Sequence, residues 1–210
     1  MAAGGIVQSE RYAAAFPDAL IRGLSRWVPP EWRLFGAAMP HAERLVSHCG
    51  PVEIRAVPAG FIAETCVKGP STPALKTALR RLATYVGGGN RGRVRLRTCR
   101  PVTQCPDTVD RWRTRVMLRD VTNTQIAMIA RNGKVRLSSV PEELVAVVCV
   151  PGRPTAELVA RGEAEIVAAL LGTNWVVTGA AMVRLHSPPR TRLLGGWFEV
   201  AFPVSELRSA

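Results

Sequence analysis

Residues 52–75 read VEIRAVPAGFIAETCVKGPSTPAL, and residues 135–158 read VRLSSVPEELVAVVCVPGRPTAEL. At an offset of 83 positions Val52 meets Val135, Val57-Pro58 meets Val140-Pro141, and Ala63 meets Ala146. Cys66-Val67, Gly69, Thr72 and Leu75 find their counterparts in Cys149-Val150, Gly152, Thr155 and Leu158. Several mismatches are conservative, such as Ile54 with Leu137 and Phe61 with Leu144. A spacing this long exceeds the period of a solenoid repeat. It reads as two copies of one supersecondary unit.

Each copy can be parsed locally. Val52-Glu53-Ile54-Arg55 alternates apolar with polar side chains, the pattern of a half-buried strand. Pro58 and Pro141 mark a turn or strand edge. Residues 61–67 and 144–150 read as second strands. Thr72-Pro73 predicts a helix start, with threonine as N-cap and proline at the first helical position. Leu75, Leu79, Leu82 and Val86 then fall on one helical face, and Gly87-Gly88-Gly89-Asn90 ends the helix. In the second copy Pro154-Thr155 precedes a helix carrying Leu158, Val159, Ile166 and Leu170, stopped by Gly172. Gly162, inside that helix, costs about 1 kcal/mol against alanine, so its missing side chain points to close packing. Further strands are predicted at 94–97, 112–118, 175–185 and 197–202. The expectation is an α+β fold with pseudo-twofold symmetry. Two ββαββ modules, about 51–120 and 134–204, would form one antiparallel sheet or open barrel of about eight strands with two helices packed on it. Residues 1–50 form a basic extension, partly helical by the amphipathic run 16–32, and 205–210 a tail.

The chain of 210 residues carries a formal charge of +12, and its lysines are only Lys68, Lys76 and Lys134. Arginine guanidinium favours planar anionic acceptors, so an anionic partner suits the composition: a carboxylate-bearing tetrapyrrole, a phosphorylated small molecule or nucleic acid. Solvated surface charge accounts for the same number. Five cysteines without CxxC spacing give neither a zinc ribbon nor a disulfide framework, and reduced thiols fit better than bridges. No apolar run reaches the ~18–20 residues of a membrane span. The first residues lack the order of a secretory signal, so a cytoplasmic location is expected.

Val52-Glu53-Ile54-Arg55, Tyr85-Val86-Gly87-Gly88-Gly89-Asn90, Thr98-Cys99-Arg100-Pro101-Val102 and the His186-Ser187-Pro188-Pro189 segment closing with Glu199-Val200 stand in one order over roughly 150 residues. This ordered set resembles the SOUL haem-binding family. The resemblance implies a distorted eight-stranded barrel with two helices, and a shallow apolar cleft for haem b or a related tetrapyrrole. Two departures stand out. Cys99 and Arg100 replace small apolar residues, and the histidine proposed as axial ligand in one branch falls at Ala56. The chain is more similar to branches that hold the macrocycle through apolar contacts and cations.

Lys76, Arg80 and Thr84, spaced at i, i+4 and i+8, form one stripe on the first helix. The resemblance places Lys76 at a basic position suggested to meet a haem propionate. Arg190 and Arg192, after Pro188-Pro189, fall in a loop where the family carries a basic residue near its cleft. A solvated helix face and a polar loop explain the same residues. Arg93, Arg95 and Arg97 share one face of a predicted strand. Cys99 beside Arg100 is a candidate reactive thiol, and Cys99 and His186 are candidate iron ligands. Cys66 and Cys149 read as small core residues. No catalytic set, metal triad or phosphate loop assembles. A tetrapyrrole-binding, carrier or buffering protein is therefore expected, without assigned catalytic residues. An enzyme or small-molecule binder that reuses the cleft, with a reactive Cys99, and a nucleic-acid binder are the alternatives.

Overall fold

The computed structural model describes residues 43–119, 133–186 and 196–207. It is an α+β protein whose described residues form ten mostly antiparallel strands and two α-helices. The chain divides into two units. Among the described residues one gathers 43–58 with 143–207, and the other 59–119 with 133–142.

The first unit is built from β1 (Arg44–Cys49), β2 (Val52–Val57), β7 (Glu143–Pro151), α2 (Ala156–Leu170), β8 (Trp175–Val177), β9 (Met182–Leu185) and β10 (Trp197–Glu206). Its strands run β1-β2-β7-β10-β9, with β8 also on β10. Strand β1 was not foreseen in the sequence, and the run 175–185 is two strands rather than one. Residues of β2 that alternate in polarity are all buried from Val52 to Ala56. An apolar face is expected to be covered; here the polar face is covered as well. Helix α2 packs on the apolar face. Thr155 caps it, its hydroxyl accepting from the Leu158 amide at 3.3 Å. A Cβ at Gly162 would stand 2.7 Å from Val200 Cγ2, so the glycine lets helix and sheet approach closely.

The second unit holds β3 (Gly60–Lys68), α1 (Ser71–Thr84), β4 (Arg97–Thr108), β5 (Arg111–Arg119) and β6 (Arg136–Val140), in the order β4-β5-β3-β6. Helix α1 begins two residues earlier than expected. Pro70 is its N-cap and makes no side-chain cap bond, so Pro73 sits at the third helical position. That is tolerated because first-turn amides have no helical acceptor. Leu75, Leu79, Leu82 and Val86 are buried as the periodicity predicts, and Val67, Ala74 and Ala78 pack with Trp112. Residues 85–89 then widen into a π-helical turn in which Gly88 takes φ +108°. Asn90, fully buried, closes the turn: its amide donates to the Tyr85 and Val94 carbonyls at 3.0 and 2.6 Å, and its oxygen accepts from the Val94 amide at 3.0 Å. This bonding takes the place of the first three residues of the strand expected at 94–97. Strand β4 begins at Arg97, so Arg93 and Arg95 are exposed loop residues.

In neither unit does a closing strand pair complete a ring: the open antiparallel sheet of the expectation is present, and a closed barrel is not. Strands β3 and β7, which carry the matching segments, bury their residues in the same positional order. The first strand of each matching segment lies in the unit of the other. β2 pairs with β7, and β6 pairs with β3.

Candidate functional site

The helical stripe expected from the sequence is present. Lys76, Arg80 and Thr84 are all exposed on α1. At the C-terminal end of that helix a pocket of about 190 Å³ opens among Arg80, Arg81, Thr84 and Lys134, with the buried Tyr85 and Val135 also lining it. Gly89 lines it too, and a Cβ there would meet the Thr84 carbonyl oxygen at 2.6 Å. Arg81 is held in place. Its Nη1 donates to the Cys66 carbonyl at 3.0 Å and reaches the Thr65 hydroxyl at 3.4 Å, while that hydroxyl donates to the Lys134 carbonyl at 2.6 Å. Burial pushes the Tyr85 hydroxyl up to about 12, so it stays neutral. The structure thus brings Arg80 and Thr84 together with Arg81 and Lys134, which the sequence reading did not single out, and leaves Lys76 outside the pocket. Ligand pockets commonly span ~300–1,000 Å³, so this one suits a headgroup rather than a macrocycle.

Arg190 and Arg192 lie outside the described residues. Cys99 is only 2% exposed, on β4 opposite Met117. Cys66 and Cys149 are half-buried.

His186 belongs to a different constellation, in the first unit. Antiparallel register sets Arg184, Glu199 and Cys149 side by side across β9, β10 and β7. The period of two adds His186 and Trp197 to the same sheet face, and Glu53 and Arg55 share one face of β2. Glu199, fully buried, accepts from Arg55 Nη1 at 2.7 Å, lies 3.2 Å from Arg184 Nη1, and shares a 2.8 Å hydrogen bond with His186 Nε2. Arg55 Nε donates to Glu53 Oε2 at 2.7 Å. Glu43 pairs with both Arg184 and Arg55. The His186 ring stacks on Trp197 with centroids 4.3 Å apart.

Burial alone would raise the Glu199 carboxyl, but His186, Arg184 and Arg55 outweigh it and hold that group well below the usual carboxylate range. For Arg55 burial works against the charge, and the carboxylates of Glu199, Glu43 and Glu53 more than restore it. Cys149 lies 3.9 Å from Glu199 Oε1. Burial first, then the neighbouring carboxylate, pushes its thiol up to about 12, so it is not a thiolate near neutrality. The sequence reading had treated Glu53 and Arg55 as the polar half of a strand. Beyond their place in a motif, the sequence shows of them only a pair of opposite charges two residues apart.

Among the described residues no cluster of three or more His, Cys, Asp or Glu could hold a metal ion. No described helix is long and apolar enough to cross a membrane.

A family model described as SOUL heme-binding protein matches residues 41–202. No curated protein matches the chain in sequence. Among solved structures, the crystal structure of the EcmrR C-terminal domain is similar at 13% identity and a TM-score of 0.57, over 74% of this chain and 97% of that one. EcmrR in the cryo-EM structure of the EcmrR-DNA complex is similar at 11% identity and a TM-score of 0.56, over 74% of this chain and 57% of that one. A hydrolase encoded by lin2189 from Listeria innocua is similar at 16% identity and a TM-score of 0.51, over 73% and 91%. At these identities the likeness is one of fold.

Proposed function

The chain belongs to the SOUL heme-binding protein family, and on that premise we propose that it binds haem b or a related tetrapyrrole in a carrier or buffering role. The observation that carries the reading is the family match over residues 41–202. The exposed cationic stripe of α1 supports it. Lys76 and Arg80 would donate charge-assisted hydrogen bonds to the ligand carboxylates, with Thr84 adding a neutral donor. Arg190 and Arg192 would serve the same end from their loop. Bound haem would supply an iron centre. Of the residues read as iron ligands, His186 is engaged through Nε2 with Glu199 and Cys99 is buried. Apolar contacts and cations, rather than one strong protein ligand, would therefore hold the macrocycle. The same reading keeps the two matching segments as copies of one unit, a view supported by the shared burial order of β3 and β7.

The test is a haemin titration of the full chain, followed by Soret absorption in both redox states. A saturable one-to-one shift, weakened about tenfold by Lys76→Ala or Arg190→Ala, is expected; tenfold corresponds to about 1.4 kcal/mol. A shift no greater than that of an unrelated basic protein would overturn the reading.

A further inference from the structure

We propose that the pocket at the C-terminal end of α1 is a binding site for the dianionic group of a phosphomonoester. Three cationic side chains, those of Arg80, Arg81 and Lys134, line a space of about 190 Å³, and no Asp or Glu is among the residues lining it. One ligand carboxylate offers a single negative charge. A phosphomonoester carries about −1.5 to −2 at neutral pH and three acceptor oxygens, a closer match to three donors. Guanidinium groups also suit phosphate in a bidentate geometry.

The site is organised before any ligand arrives. The two hydrogen bonds from Arg81 Nη1 to Thr65 and the Cys66 carbonyl fix its guanidinium, and the Thr65 hydroxyl ties the Lys134 backbone to the same strand. Fixing donors in advance lowers the ordering cost of binding. The Thr84 hydroxyl adds a neutral donor. Tyr85 and Val135, 2% and 5% exposed, close the floor of the pocket. The absence of a side chain at Gly89 keeps the chain tight against the end of the helix.

This inference shares Arg80 and Thr84 with the tetrapyrrole reading but is distinguishable from it. It requires Arg81 and Lys134, which that reading does not use, and it does not require Lys76. Calorimetric titration of the full chain with phenyl phosphate tests it, with benzoate as the monoanionic control and Lys134→Gln and Lys76→Ala as crossed variants. Lys134→Gln alters an exposed side chain, so the fold is retained. Saturable one-to-one binding of phenyl phosphate is expected, at least tenfold tighter than benzoate, weakened about tenfold by Lys134→Gln and unchanged by Lys76→Ala. Absence of saturable binding, equal affinity for benzoate, or equal losses in the two variants would overturn the proposal. The titration contains no haemin, so a failed Soret titration and a failed phosphate titration are separate results.

Discussion

Glu199 has no solvent exposure and is surrounded by Arg55, Arg184 and His186. Its ionised form is favoured over that in the unfolded chain, because its folded pKa is depressed. Such a group contributes stability above its unfolded value of ~4.3, and the contribution is lost as pH falls through the folded value. The urea midpoint should therefore be nearly flat from about pH 7 to 5 and fall below about pH 4.5. Glu199→Gln should cost about 3–5 kcal/mol at neutral pH, since it leaves buried guanidinium charge without its partner. It should also make the acid limb shallower. Parallel acid limbs in the two proteins would show that other carboxylates govern acid sensitivity. Little of this network was legible in the sequence. Alternation along residues 52–55 reports polarity, not whether the polar face meets water, and Arg55 and Glu199 are 144 positions apart. His186 stands out in the sequence as part of a motif and as a candidate iron ligand, Glu199 as part of a motif, without any sign that they touch.

Among the elements, the two helices share a periodic apolar face but begin differently. Thr155 caps α2 through its hydroxyl, whereas α1 starts from Pro70, and Thr72 lies inside its first turn. Thr155→Ala should therefore lower stability by about 1 kcal/mol, and Thr72→Ala should change it by less than about 0.5 kcal/mol. Thermal denaturation of the two variants side by side checks the contrast, and equal losses would contradict it. The helices and most strands were legible because apolar spacing is a local signal. β1 was missed because Arg44–Cys49 is an edge strand whose residues are alternately exposed and half-buried. The residues following the helix were misread as a strand because Asn90, rather than a neighbouring strand, takes up the polar groups of Tyr85 and Val94. At the pocket, Arg80 and Thr84 could be found from helical spacing. Lys134 could not, since only the folded chain brings it beside the end of α1.

For the molecule as a whole, a charge of +12 draws in any polyanion at low ionic strength, which governs association rather than fold. Attachment to DNA should fade steeply with salt. Near 1 M salt, where the screening length falls to about 3 Å, haemin should still shift the Soret band while DNA no longer retards in a gel. Retention of DNA under those conditions would favour a nucleic-acid function instead. The exchange of first strands between the two units also has a bearing on how the chain is made. Synthesis proceeds from the N-terminus, and domains tend to fold in that order. Residues 59–142 can gather their own strands, β6 included, as soon as they have emerged. The earlier pair β1–β2 must wait for β7 and, behind it, β10, so Glu53 and Arg55 leave the ribosome long before Glu199 exists. During that interval these early strands wait without their later partners, and a polypeptide cut short before Glu143 would present them to the cell with an open edge.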